Sequence, residues 1–581
     1  MRAIAYVALA LLVAIEYGRA ASFSLVFGWD DGRFLVDDPL VTEPSFEHFV
    51  AIFAAPHFEA YQPLHLLSYW LDAPWLGVDG PALHVVNLIL FALAAIAVFE
   101  ASRALLARYR GAGAEASGSG FFGGLIVAAL VCAHPIQVES AVWITGRKDI
   151  LALGFGALAV WAHVRSARPF DRMRLFSLLA FGAAALSKTT ILPLPLVLIA
   201  ADVWLVPRDA PELRARVRSA VIAQLPTLLV ATALGVVTLL LWRDAELIAP
   251  RALEPVRRIG LVGATLTHAL VTLVWPSSLS PLYPVDRGAG YGPLMLLAGP
   301  VLLALAIAWT VRSKNRGAAF TIASFLAFWL PVSNVIPLYY QWQDRYLALP
   351  LWPLAIGIGL LVEGLLQRRS PSPINDRRIV LGIAMAAVAA LAARGAQYTA
   401  AWRDDLTLFQ HATSVQPSSF YAWLSLGHAR ARRDDYEGAS AAYERAVEVA
   451  NLEVAHVALF RVRVLEDEHE RHLSPSRADE LAARFQAADG DAQSLRTLAL
   501  EVAEAGYRKA VFLALDYSFA IQPLADDVLE HAAVVQITRG NEWLARYYTS
   551  RLRHEPINPE LRARFMPAPD EDDEAEHDAE E

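Results

Sequence analysis

Apolar residues dominate the first 400 positions in runs too long and too free of charge for the core of a soluble domain. Segments near 83–101, 219–242, 291–311, 346–362 and 379–393 approach or reach the about 20 residues that a helix needs to cross a bilayer. A buried core helix explains one such run, but this many predict a membrane domain. Shorter apolar runs lie between them, so spans are expected near 3–27, 83–102, 121–135, 150–164, 175–188, 190–206 and 219–242, ahead of the later ones. Met1-Arg2, the apolar run Ala3 to Ile15 and the small residues near Arg19-Ala20-Ala21 also have the shape of a cleaved signal peptide. Apolar residues resume at Phe23 to Phe27, which favours a retained first helix. Either reading sends the chain after residue 28 to the same outer side.

Basic residues orient such a bundle, because clusters of Arg and Lys are retained on the cytoplasmic side. Five clusters occur: Arg103, Arg108 and Arg110; Arg165, Arg168, Arg172 and Arg174; Arg208, Arg214, Arg216 and Arg218; Arg312, Lys314 and Arg316; Arg368, Arg369, Arg377 and Arg378. All five face inward only if the segment 259–275 does not cross, which gives about eleven spans with a cytoplasmic N-terminus. The regions 28–83, 134–149, 242–291 and 339–346, the Lys188 junction and everything after about residue 399 then lie outside.

Behind the predicted membrane domain, residues 1–399, the pattern changes to a repeat. Phe409 and Ala412 recur 34 residues later as Tyr443 and Ala446, and Trp423, Leu426, Gly427, Ala439, Tyr443 and Ala446 fit the tetratricopeptide pattern. Small residues there let paired helices approach while large ones fill the gaps, so residues 400–560 are expected to form an α-solenoid. Amphipathic helices near 477–487, 493–520 and 526–553 continue it. Its role is a docking groove for an acceptor or a structural cap. The stretch 561–581 is expected to be disordered, since nine of its last twelve residues are acidic. The fold class is therefore all-α: a polytopic membrane bundle, a soluble solenoid and an acidic tail.

Composition sharpens this. Hydrophobic residues make up 56% and charged residues 19% of the chain, as a membrane protein requires. The net charge of -9 resides in the tail, so no global basic surface exists for nucleic acid. The one cysteine, Cys132, excludes a disulfide framework and a cysteine metal site.

Candidate chemistry lies on the outer face. Asp30 and Asp31 are adjacent carboxylates at a membrane helix end, where like charges raise one pKa and prepare a base for an alcohol proton. Asp37-Asp38-Pro39 is a second pair and reads as a turn. His134 and Glu139 lack metal-ligand spacing and read as structural, and no metal is expected. Tyr61, Gln62, His84, Asn87, Asp149, Asp344 and Tyr346 are further outer-face polar residues. Arg147, Lys148, Lys188 and Arg345 are single cations at outer helix ends, the types a phosphate requires. Their alternative is an intramembrane ion pair, Arg147 with Asp149 or Arg345 with a neighbouring carboxylate.

The order of these segments resembles the membrane O-mannosyltransferases with tetratricopeptide repeats, in the glycosyltransferase C superfamily. The resemblance rests on Trp29-Asp30-Asp31 with Pro39; Tyr61-Gln62-Pro63-Leu64; His84 with Asn87; His134 to Glu139 running into Trp143 to Asp149; Ser187-Lys188 with Asp202; Trp275-Pro276 with Tyr283; Leu330 to Asn334; Asp344-Arg345-Tyr346; and the repeat. It implies transfer of a sugar from a polyprenyl-phosphate carrier to a hydroxyl of a protein or glycan acceptor, with inversion and without a cofactor. Asp30 would be the general base, Asp31 would orient the acceptor or a donor hydroxyl, and the four cations would meet the lipid phosphate. Two positions depart from the family: Gln62 stands where Arg is usual, and Thr189 where an acidic residue is common. The competing readings are a ligase or polymerase acting on lipid-linked glycan, and a non-catalytic scaffold or transporter. The Arg-rich, Lys-poor composition points to a bacterial inner membrane with the repeats in the periplasm.

Overall fold

The computed structural model describes residues 1–58, 60–111, 120–166, 171–206, 212–244, 255–284, 291–366, 373–471 and 477–565. Of the expected acidic tail, everything from 566 onward lies outside the described residues, as do Arg168, Arg208, Arg368 and Arg369 of the basic clusters. Among the described residues the structure is helical without strands, apart from one isolated bridge between His57 and Ala60.

Among the described residues, six helices are long and apolar enough to cross a membrane: Arg2–Ser22, Gly80–Arg110, Leu225–Arg243, Pro293–Ser313, Asp344–Leu366 and Arg377–Arg403. Phe121–Ala133, Thr189–Trp204 and Arg316–Val332 are apolar but shorter. At 1.5 Å per residue a 13-residue helix rises only about 20 Å, less than the roughly 30 Å of a hydrocarbon core. Local sequence moves several expected boundaries. The first helix tightens into a 3₁₀ turn at Gly18–Ser22, so it ends before residue 27. The run 219–242 is interrupted at Gln224, because Pro226 brings no backbone N–H to a continuing helix. The region 28–83, expected as the first outer loop, folds into short helices at Pro39–Thr42, Phe46–Ala54 and Pro63–Leu76, so it is no open loop. The segment around 259–275 is the helix Pro255–Val274, which buries Leu261, Ala264 and Ala269 and exposes Val256, Ile259 and Val274.

Close helix packing rests on small residues and buried polar links. Gly80–Arg110 lies against Arg147–Arg165, where a Cβ on Gly154 would stand 3.3 Å from that of Ala94. The Tyr17 hydroxyl donates to the Cys132 carbonyl at 2.6 Å, and the Trp352 indole to Ser102 Oγ at 3.0 Å. Each satisfies a buried donor that would otherwise destabilise the interior.

By packing, the chain forms two compact units, Met1–Ala429 and Arg430–Glu581. The compositional boundary at 399/400 thus lies inside the first unit. Helix Asp405–Val415 is fastened there by Gly28 N–H donating to Asp405 Oδ2 at 3.1 Å, Ser24 N–H to the Arg403 carbonyl at 3.2 Å, and His411 Nε2 to the Leu279 carbonyl at 3.0 Å. Leu426 and Gly427 are buried in this unit, whereas Trp423 is half-exposed and donates to the Pro417 carbonyl at 2.8 Å.

The second unit is a succession of paired helices with Ala439, Tyr443 and Ala446 buried. Its core includes Phe460 and Phe485, stacked 4.5 Å apart, with Leu495, Val511 and Leu544. The expected helices 493–520 and 526–553 are each divided in two. Gly506 and Gly540 adopt φ of 94° and 78°, a left-handed conformation that ends a helix and that glycine adopts without strain.

Gly146 tests the packing. A Cβ there would stand 2.8 Å from the carbonyl oxygens of Glu139 and Ser140, while Gly382, inside Pro373–Thr399, has nothing within 4 Å. Gly146→Ala should lower the melting temperature by overpacking, a cost of about 1–3 kcal/mol. Gly382→Ala should leave it unchanged or raise it. Thermal unfolding of the detergent-solubilised chain reads both, and equal shifts would contradict the packing described.

Candidate active site

The residues from Trp143 to Asp149 form the centre of a polar cluster. A 3₁₀ turn, Ile144–Gly146, leads directly into the helix Arg147–Arg165, and its backbone is held from three sides. The Tyr69 hydroxyl donates to the Ile144 carbonyl at 2.7 Å, and Asn87 Nδ2 donates to the same oxygen at 3.0 Å and to that of Trp143 at 3.3 Å. From the region 28–83, Asp31 Oδ1 accepts from Thr145 N–H at 3.1 Å and from its hydroxyl at 2.9 Å, while Asp31 Oδ2 accepts from Val26 N–H at 2.9 Å. Asp31 is fully buried.

Asp30 differs from its neighbour. It is half-exposed, and its carboxylate forms no hydrogen bond among the described residues. Its charge acts on Lys148, Arg345 and Tyr340. The adjacent Trp29 packs at 6.1 Å from Trp143 and 5.9 Å from Tyr340, ring centre to ring centre. The indole N–H groups of Trp29 and Trp143 have no acceptor among the described residues.

The four cations separate into two kinds. Arg147 is fully buried; it donates to Asn87 Oδ1 at 2.6 Å, pairs with Asp72 and lies over the Tyr69 ring at 4.3 Å. Its partner is thus Asp72, while Asp149 pairs with Lys188. Arg345 pairs with Glu139, which also accepts from the Arg345 backbone N–H at 3.0 Å. Lys148 has no carboxylate within ion-pair distance among the described residues. Its ammonium faces aromatic rings, 4.9 Å from the centre of Trp143 and 5.4 Å from that of Phe34.

The remaining expected residues divide likewise. Asp344 is buried and accepts from the Tyr283 hydroxyl at 2.6 Å and the Tyr398 hydroxyl at 3.4 Å; Tyr346 lies 5.8 Å below the Arg345 guanidinium. His84 is buried edge-on to Phe23. His134 Nε2 donates to the Leu273 carbonyl at 3.1 Å, and its Nδ1 accepts from Ile136 N–H at 3.3 Å. With Glu139 on Arg345, the two do not share a ligand position, and no cluster of three His, Cys, Asp or Glu suited to a metal occurs among the described residues. Tyr61 donates to the Phe53 carbonyl at 3.0 Å, and Gln62 precedes the helix Pro63–Leu76 without a capping bond. Both belong to the framework of the outer region. Sequence reasoning did not single out Asp72, Tyr69, Thr145 or Tyr340. Asp72 carried a signal, being the one charge in an apolar helical stretch.

No family model and no curated protein sequence matches the chain.

Burial pushes the Asp31 carboxyl up to about 6, against the opposing effect of its three donors. The folded chain therefore takes up this proton more readily than the unfolded chain, whose carboxyl titrates near 3.8. Ionisation of Asp31 costs the fold: its contribution is most favourable below about 4 and declines as pH rises to about 6. The melting temperature of the wild type minus that of Asp31→Asn should fall between pH 4 and 6 and level off above. A flat difference would remove Asp31 from that titration.

Proposed function

We propose that this protein is an integral-membrane glycosyltransferase that moves a sugar from a polyprenyl-phosphate carrier to a hydroxyl acceptor, protein or glycan, at the outer membrane face. The observation that carries the reading is that Asp30 acts electrostatically on Lys148 without forming an ion pair with it. One is a half-exposed carboxylate without a hydrogen bond, and the other is the single candidate cation not neutralised by a carboxylate among the described residues. Together they would supply a base and a phosphate counter-charge.

In this mechanism Asp30 takes the proton of the acceptor hydroxyl as that oxygen attacks the anomeric carbon. The bond from that carbon to the phosphate oxygen breaks with inversion. The departing phosphate keeps the electron pair, and Lys148 meets its charge. Asp31, held by Thr145 and Val26, positions Asp30. Arg147, Lys188 and Arg345 hold the surrounding frame through their carboxylates, and Arg345 adds positive potential across Trp143 at 5.0 Å. The tetratricopeptide reading of the helix pairs beyond residue 405 gives the acceptor a surface to dock on. The topology proposed is about eleven spans with the N-terminus inside and the repeats outside, in a bacterial inner membrane.

Transfer from radiolabelled polyprenyl-phosphate sugars, in membranes with matched protein levels, tests the chemistry. Asp30→Asn should lower the rate by about 10²–10⁴-fold, and Lys148→Gln by about 10²–10³-fold. Transfer unchanged in both, or absent in the wild type for every donor, would sink the reading. Topology is tested separately, because Cys132 is fully buried and gives no labelling background. Thr42→Cys and Ser550→Cys, both at exposed positions, should react with a membrane-impermeant maleimide from outside, and Ser313→Cys only after permeabilisation. The opposite pattern would invert the orientation.

A further inference from the structure

The described part of the chain ends on a face built of aromatic rings and arginines. In the second unit, the helix Glu542–Ser550 carries Trp543, Arg546 and Tyr547 at the spacing that sets side chains on one side of a helix. Phe512, from the helix Arg508–Ile521, stands 5.4 Å from Trp543 and 4.9 Å from Tyr547, ring centre to ring centre. The Arg508 guanidinium lies 5.4 Å over the Trp543 ring, and that of Arg546 lies 5.3 Å over Phe565, the last described residue. Trp543, Tyr547 and Phe565 pack on the core of this unit but are only partly buried. The last helices of a stacked array have no further neighbour, and such a terminal face needs a polar cover.

Both cations lack a counter-charge. Neither Arg508 nor Arg546 has a carboxylate within ion-pair distance among the described residues, although Glu504 and Glu542 each stand four positions earlier in sequence. Asp516, a carboxylate that does meet this face, is taken by the Tyr547 hydroxyl and by Arg551. A guanidinium held over a ring keeps its in-plane N–H donors for an anion. Anions follow directly in the sequence, because residues 570–581 carry nine acidic side chains. Asp570 comes five residues after Phe565, within about 17 Å of it along an extended chain. Trp543 and Arg546 are about 5 Å apart along their helix. A segment too acidic to form a core of its own can still be held by a surface of opposite charge.

We propose that the acidic segment 570–581 docks on this face, with its carboxylates on Arg508 and Arg546 and its backbone across Trp543 and Tyr547. The occupant is this chain's own segment because Arg546 lies over Phe565, the residue from which the segment departs. Docking then closes a loop of a few residues, whereas a separate acidic chain would also give up its translational freedom. The docked segment covers the partly buried rings and closes the face to other anionic chains at low ionic strength. The inference rests on neither the transferase reading nor the membrane topology.

Electron paramagnetic resonance of the full chain in detergent, with a nitroxide on Ala575→Cys, reads the contact; Cys132 is fully buried and takes no label. At low salt the spectrum should contain an immobilised component. That component should be lost in about 1 M salt, where charges are screened beyond about 3 Å, and in Arg508→Gln with Arg546→Gln. Asp572→Asn, Asp573→Asn, Glu574→Gln and Glu576→Gln together neutralise the segment around the label without touching the helices, and should lose it as well. A spectrum without the immobilised component at low salt overturns the proposal, as does immobilisation unchanged in either set of substitutions. Immobilisation that weakens on dilution would seat the segment on a second copy of the chain and likewise overturn it.

Discussion

A charged group carried into the wall of an apolar bundle must find a counter-charge or a set of hydrogen bonds, because leaving it alone costs several kcal/mol. The Trp143–Asp149 segment places three charged residues in succession at such a wall. The rest of the polar cluster follows from how they are satisfied. Asp31 crosses 114 positions of sequence to hold Thr145, and Asn87 and Tyr69 take the carbonyls of the two residues before it. Once Asp31 is fixed by three donors, its neighbour Asp30 is left projecting from an immobilised backbone. The buried carboxylate thus sets the geometry of the half-exposed one.

The same constraint sorts the cations. Arg147, Lys188 and Arg345 each meet a carboxylate from a distant part of the chain, and none of these pairs is a neighbour pair within one helix. Buried pairs of this kind contribute little net stability, but removing one partner is strongly destabilising, so they fix one arrangement of helices. Lys148 is satisfied differently, by the faces of Trp143 and Phe34. A cation held by aromatic rings keeps its positive charge unneutralised, which a carboxylate partner would not allow. That contrast is why the functional reading rests on Lys148.

How much of this was legible in the sequence differs by level. Long uncharged runs announce helices because the signal is spread over 20 residues, and six of the membrane-length helices were visible in this way. Boundaries were less visible, since they hang on single residues: Pro226, Gly506 and Gly540 each divide what the apolar periodicity joins. The site was legible as a set of residues but not as a set of partners. Arg147 and Lys148 are adjacent and look equivalent in sequence. Successive residues on a helix point about 100° apart, so one turns inward to Asp72 and Asn87 while the other meets the rings of Trp143 and Phe34. Only the packing of Pro63–Leu76 against this region decides which is which.

The two departures from the pattern of the family that the proposal invokes are explained by the same accounting of charge. Thr189 follows Lys188 where an acidic residue is common, and the structure supplies the missing carboxylate from Asp149, on a different helix. Lys188 is therefore neutralised without an acidic neighbour, and Thr189 removes no counter-charge that the fold requires. Gln62 is not replaced in this way. It begins the Pro63–Leu76 helix with no side-chain capping bond, and that helix presents its one charge, Asp72, to Arg147. An arginine at position 62 would have added a second positive charge to this outer region. In the proposed reaction, with glutamine there, the burden of meeting an anion falls on Lys148, supported across Trp143 by Arg345.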